Sequence, residues 1–302
     1  MYFFCTFAAM AESKKMGIQA ILVVIAVAVM SYFYNIISNG DDADVDDLLT
    51  DETEQYEDIE STYRDFLPHS DVKEVIDHQY FTLAYSEKHE QAEWVAYETD
   101  IQRLPKNTER SDNFRQDREV STGSASLDDY YGSGYDRGHL APAGDMHFSE
   151  EAMYLSFLMS NVSPQERGFN RGIWRELEEQ VRDWTRGYKH LYVVTGPVLT
   201  ERAKAKIGDN DVTVPRAFYK VLLDYREPEL KAVGFVIPNE ESKKPLDHYA
   251  MSVDEVENLT GIDFFHNLPD NIEERLERKY SVGRWPFDEE RYRERISIWN
   301  RQ

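Results

Sequence analysis

The run Tyr135-Asp136-Arg137-Gly138-His139-Leu140-Ala141-Pro142 is followed about thirty residues later by Phe169-Asn170-Arg171-Gly172-Ile173-Trp174-Arg175-Glu176-Leu177-Glu178. Together the two runs constrain the chain more than any other feature. The first reads as a half-buried extended segment leaving a strand, because Leu140 and Pro142 are apolar and Gly138 lets the backbone turn sharply beside His139. In the second, Ile173, Trp174, Leu177, Val181 and Trp184 recur at helical spacing, which predicts a helix over 170–186. Asn170 stands at its start, where asparagine is a favoured residue.

The residue types point to phosphodiester chemistry with one divalent ion. An imidazole at His139 can deprotonate water near neutral pH, and Arg137 before it can meet a phosphate. The carbonyl oxygen of Asn170 can ligate Mg²⁺, a hard ion that keeps most of its waters and asks for only one or two protein oxygens. Glu178 and Arg182, four residues apart, share one edge of the helix and can steady the hydrated ion and the phosphate respectively.

With these residues in view, the chain resembles the DNA/RNA nonspecific endonucleases of the ββα-metal (His-Me finger) superfamily, which includes secreted bacterial nucleases and mitochondrial endonuclease G. The resemblance covers roughly residues 80–270 and rests on Asp136-Arg137-Gly138-His139 together with Asn161, Gln165, Asn170, Trp174 and Leu177-Glu178. It implies that His139 is the general base and Asn170 the direct ligand of Mg²⁺, with Mn²⁺ as a substitute ion. It also implies that Asn161 supports the site, that Glu178 orients metal-bound water and that Arg182 is the helix arginine. An upstream arginine that stabilises phosphate charge matches Arg110, with Arg115 and Arg118 as alternatives.

Duller readings stand beside these. Asn170 can simply cap its helix, and Glu178 with Arg182 can be an ordinary exposed ion pair. Asp136, Asp145 and His147 could form a zinc cluster with His139, but they lack the spacing of common zinc sites. Trp174 and Trp184 read as core.

The remainder of the chain suggests a tethered domain. Residues 17–37 are almost uninterruptedly apolar, follow Lys14-Lys15 and end near Tyr32-Phe33-Tyr34, which reads as a membrane anchor with an aromatic belt. A cleaved signal peptide is the alternative, although 31–39 offers no clear small-x-small cleavage site. The lysines put segment 1–16 in the cytoplasm and the catalytic domain outside it, facing the periplasm of a bacterium, or secreted if the segment is cleaved. Residues 41–60 hold eleven Asp/Glu and no Lys/Arg, within an acidic linker placed at 38–65. The overall net charge of −23 leaves −13 on residues 61–302, so charge alone does not retain nucleic acid. Cys5 is the single cysteine, so the catalytic domain holds no disulfide.

The expected fold is α+β, a central antiparallel sheet flanked by helices with the ββα site on one side. Strands are predicted at 80–83, 94–97, 191–195, 218–225 and 232–237, helices at 150–158 and 170–186, and a capped helix within 246–263. The endonuclease domain is placed at 66–270. A charged extension at 271–302, broken at Trp285-Pro286, is expected as helical pieces on the surface. The functional expectation is a Mg²⁺-dependent endonuclease acting on DNA and RNA, with a second copy of the chain as a candidate partner. A catalytically silent nucleic-acid-binding or surface module, or a phosphodiesterase for small nucleotides, would use the same residues.

Overall fold

A computed structural model describes residues 61–200, 202–226 and 230–301. Eleven strands lie among them: β1 (Glu74–His78), β2 (Phe81–Ser86), β3 (Gln91–Asp100), β4 (Asp136–His139), β5 (Val162–Gln165), β6 (His190–Pro197), β7 (Ala205–Ile207), β8 (Val212–Val214), β9 (Ala217–Asp224), β10 (Lys231–Pro238) and β11 (Ala250–Met251). The helices are α1 (Leu127–Tyr130), α2 (Glu150–Ser156), α3 (Arg175–Tyr188), α4 (Val253–Thr260), α5 (Asp270–Arg278) and α6 (Glu289–Ser297). Seven strands form one antiparallel sheet in the order β1-β2-β3-β6-β9-β10-β11.

Period-two alternation gives the sheet two apolar faces, each with its own cover. Tyr97, Val193, Leu222 and Val233 align across β3, β6, β9 and β10 on one face, where Trp174, Leu177, Val181 and Trp184 pack. Tyr192, Leu223 and Ala232 align on the other, under Val253 and Val256 of α4 and Ile272 and Leu276 of α5. Because both faces are covered, the central strands read as apolar runs. Gly234 is required where α4 comes close, since a Cβ there would lie 2.4 Å from Val256 Cγ2. The buried stripe of α3 anchors it, each large apolar side chain contributing roughly 1.5–3 kcal/mol, more than differences in helix propensity.

Several boundaries differ from the sequence reading. The predicted helix over 170–186 is regular only from Arg175; before it, Phe169–Trp174 form a wide π turn kinked at Gly172. Within 246–263 the helix is confined to Val253–Thr260, where Ser252 and Glu255 form a capping box, and 250–251 add an edge strand. The linker expected to reach residue 65 ends earlier, because Tyr63 and Phe66 are buried in the core beneath the sheet. The extension at 271–302 is helical in part, but it is not merely laid on the surface. Trp285 packs into the α3-side core, ring to ring with Trp184 at 5.1 Å. Arg295 of α6 is fully buried, paired with Glu176 of α3 and donating to the carbonyls of Ser242 and Lys244. No helix among the described residues is long and apolar enough to cross a membrane; the apolar span at 17–37 and the spacer at 41–60 lie outside them.

Candidate active site

The antiparallel pair β4–β5 carries His139 opposite Val162 and Asp136 opposite Gln165, and the π turn and α3 follow it in the chain. Gly138 is obligatory here: a Cβ would fall 2.0 Å from the side chain of Gln165. Asn161, fully buried, accepts from the Ala141 amide and donates to the carbonyls of Ala141 and Ser156, all at 2.9 Å. It therefore clamps the backbone just after His139.

His139 is 8% exposed and held between aromatic rings, with Phe114 at 5.3 Å and Phe157 edge-on at 4.8 Å. Its Nε2 is buried without a hydrogen-bond partner among the described residues. Burial first, and then the charges of Arg110 and Arg137, hold its pKa down to about 3, so the ring is neutral at physiological pH. That is the protonation state a base requires.

Asn170 does not have the helix-opening role expected of it. Its Nδ2 donates to Asp136 Oδ2 at 3.1 Å, and Arg171 Nε donates to the same carboxylate oxygen at 2.9 Å. With its nitrogen committed to a carboxylate, the amide leaves its carbonyl oxygen as the free acceptor, a hard oxygen donor that suits a divalent cation.

A cleft of about 650 Å³ opens over this region, and Arg110, Arg137, Arg171, Asp136 and Asn170 are among its lining residues. Arg137 lies over the Phe114 ring at 4.4 Å and Arg110 over Phe157 at 5.1 Å, so the rings that bury His139 also seat the two guanidinium groups. Of the three upstream arginines, Arg110 is the one that lines the cleft. Arg115 instead stacks on Tyr154 at 3.3 Å and donates to the Tyr154 carbonyl.

The edge of α3 forms a second charged group. Arg182 does not pair with Glu178 as a simple helix ion pair; its Nη1 donates to Asp145 Oδ1 at 2.8 Å, and Tyr97 donates to the other oxygen of Asp145 at 3.0 Å. Lys220, on the inward face of β9, is fully buried, its ammonium 5.0 Å from the Trp174 ring centroid. Burial pushes the pKa of Glu178 up, opposed by the charges of Lys220 and Arg182; burial pushes Lys220 down, opposed by Glu178 and Asp145. A half-buried carboxylate of this kind is stabilised as the anion when a further cation arrives.

The sequence reading missed Asp136 as the residue that fixes Asn170, Asp145 as the partner of Arg182, and Lys220 altogether. Asp136 had a signal, since it opens the Asp-Arg-Gly-His run; Lys220 had none beyond its being a lysine inside an apolar strand. Among the described residues, the only group of three His, Cys, Asp or Glu side chains close enough to share an ion is Asp254, Glu257 and Glu277, carried by α4 and α5 on the opposite face of the sheet.

A neutral buried imidazole and a cleft lined by arginines and an oriented amide are groups that phosphodiester hydrolysis can use. The chain belongs to the DNA/RNA non-specific endonuclease family, whose model matches residues 61–271. It is similar to a nuclease of Nostoc sp., 36% identical over 211 residues that cover 66% of this chain and 76% of the relative. It is also similar to human mitochondrial endonuclease G, 34% identical over 202 residues, 62% of this chain and 68% of that one. Among solved structures, a crystal structure of an EndoG/EndoGI complex superposes with a TM-score of 0.63 at 29% identity, covering 69% of this chain and 91% of that chain. The enzyme is a nuclease, and its substrates are nucleic acids.

Proposed function

We propose that the chain is a Mg²⁺-dependent endonuclease that hydrolyses DNA and RNA with little sequence preference, through a ββα-metal site built on β4, β5 and α3. The observation that carries this reading is the Asn170–Asp136 hydrogen bond, which leaves one amide oxygen available in a cleft that Arg110, Arg137 and Arg171 also line, with Asp136 on the same strand as the neutral His139. Asn170 would hold the ion, with Glu178 orienting its water ligands. When bound, the ion would supply positive charge to the scissile phosphate and the leaving oxygen.

His139 accepts a proton from water as the water oxygen bonds to phosphorus. The bond from phosphorus to the 3′-oxygen breaks, and that oxygen takes a proton from solvent, giving a 5′-phosphate and a 3′-hydroxyl. Arg137 and Arg110 donate to the phosphate oxygens, where charge grows in the transition state. Arg182, held by Asp145, adds positive charge from the helix edge and, with Lys220, opposes the rise that burial imposes on the Glu178 pKa. Contacts that fall on the backbone position a nucleic acid without reading its sequence, which accommodates both DNA and RNA.

The apolar span at 17–37 would tether this domain to a membrane, with the acidic spacer holding it away from the surface on the non-cytoplasmic side. Supercoiled plasmid and a structured RNA incubated with the protein, with and without EDTA, test the enzymatic reading. Cleavage of both that EDTA abolishes and that His139→Ala loses supports it; cleavage undiminished by EDTA overturns it.

A further inference from the structure

Tyr131 is the least satisfied aromatic side chain at the cleft. It is 91% exposed, yet it lines the same cleft as Arg110, Arg137 and Asn170. The only other exposed large aromatic among the described residues, Tyr154 at 48%, has its ring covered by the Arg115 guanidinium. No hydrogen bond or ring contact falls on the Tyr131 side chain among the described residues.

The local backbone holds Tyr131 outward. Tyr130, its neighbour at the end of α1, is buried in the core beneath the cleft, so the chain puts one tyrosine inside and presents the next. The turn that follows is closed by Ser133 N donating to Tyr130 O at 3.2 Å and needs Gly132 at φ +69° and Gly134 at φ +84°, a region side chains rarely adopt. Two residues later β4 begins, with Asp136 and Arg137. An exposed ring is thus fixed by sequence adjacency to the strand that carries the base.

The cleft lining also divides by chemistry. Leu127, 42% exposed, and Tyr131 supply apolar surface, while Arg110, Arg137 and Arg171 supply positive charge beside Asp112, Asp128 and Asp136, of which Asp112 pairs with Arg110 and Asp136 with Arg171. A nucleotide has the same two parts, a flat apolar base and an anionic phosphate. The domain needs such a grip, because its net charge of −13 over residues 61–302 repels a polyanion. Stacking does not depend on net charge, and it tolerates any sequence because every base has a π face.

Building on the endonuclease reading above, we infer that Tyr131 is a stacking platform for an unpaired nucleobase next to the scissile phosphate, so that single-stranded or frayed nucleic acid is held more tightly than intact duplex. A base inside a duplex has both faces occupied by its neighbours and cannot stack on the ring without being unpaired, which sets the preference.

The test uses the full-length chain with a single-stranded oligodeoxynucleotide carrying one 2-aminopurine and with the matching blunt duplex, binding being followed by 2-aminopurine fluorescence in EDTA. Tyr131→Ala should weaken single-strand binding by about tenfold or more, and the duplex by much less. Tyr131→Phe, which keeps the ring, should stay within about threefold of the parent. In Mg²⁺ the same loss should appear in KM more than in kcat. Single-strand affinity unchanged in Tyr131→Ala, or an equal loss on both substrates, overturns the inference. Failure of the parent chain to cleave any substrate in Mg²⁺ would instead strike the endonuclease reading, so the two failures are told apart.

Discussion

Asn170 donates its side-chain amide to Asp136 across 3.1 Å, and Arg171 holds the same carboxylate oxygen at 2.9 Å. The bond ties the π turn that precedes α3 to the first residue of β4, so one carboxylate sets the orientation of the proposed metal ligand. Partners of this kind normally change metal affinity when removed, although they touch no metal themselves.

The first prediction follows from that bond. Asp136→Ala should leave the fold intact but free the Asn170 amide to rotate, raising the Mg²⁺ concentration for half-maximal activity by roughly 10- to 100-fold. Titrating activity against Mg²⁺ in the folded variant measures it, and an unchanged requirement would show that Asn170 needs no such support.

A second prediction concerns His139. Its pKa near 3, set by burial and by Arg110 and Arg137, makes the ring neutral throughout the physiological range. An NMR titration of free enzyme should therefore show no His139 transition between about pH 5 and 8, where an ordinary histidine changes charge. Because the folded pKa lies below the unfolded one, this residue contributes stability above about pH 6.5 that is lost as pH falls toward 3. His139→Ala should reduce the rate by roughly 10²–10⁴-fold, and near-parental turnover would remove it from the chemistry.

The third prediction lies on the other face of the sheet. Glu277 is 5% exposed, one of its oxygens has no partner, and burial together with Glu257, Glu273, Asp254 and Asp263 pushes its pKa up to about 9. A folded pKa above the unfolded one means that its contribution to stability is complete below about pH 4.5 and is lost as pH rises through 9. Glu277→Gln, which mimics the protonated acid, should raise Tm at pH 8 by about 5 °C and have little effect at pH 4. A lower Tm at pH 8 would contradict this.

A fourth prediction tests the C-terminal helix. Arg295 is fully buried against Glu176, so Arg295→Ala leaves a carboxylate buried without its partner and should cost about 3–5 kcal/mol. Replacing both Arg295 and Glu176 by leucine should cost much less, because no unpaired charge remains. Chemical denaturation of the parent and the two variants gives the comparison; equal losses in the single and double variants would mean that packing, not charge, makes this contact.

Much of the candidate site was legible because its residues lie in two short runs. The Asp-Arg-Gly-His run and the helical spacing of Trp174, Leu177, Val181 and Trp184 are local patterns, and they single out His139, Arg137, Asn170 and Glu178 as candidates. The central strands were legible for the same reason, since Leu191, Val193, Phe218 and Leu222 sit in dense runs of β-branched and aromatic residues. Less was legible where the partner is distant in sequence. Arg182 looked like the neighbour of Glu178, but its hydrogen bond goes to Asp145, 37 residues away. Trp285 and Arg295 stood in a strongly charged segment with no apolar run to mark them, and they are buried because α3 presents Trp184 and Glu176 to receive them.

The sequence by itself determined the chemistry available to this protein, because residue identity fixes what can take a proton, ligate a cation or meet a phosphate, and short-range spacing fixes which of those groups share an element. Only the tertiary structure decided how each group is set. Phe114 and Phe157 enclose His139, Asp136 fixes the Asn170 amide, and Lys220 lies under Glu178 from a strand folded in from more than forty residues away. Burial and the charges of neighbours shift a pKa and orient an amide through space, and distance in space is a property that the order of residues does not contain.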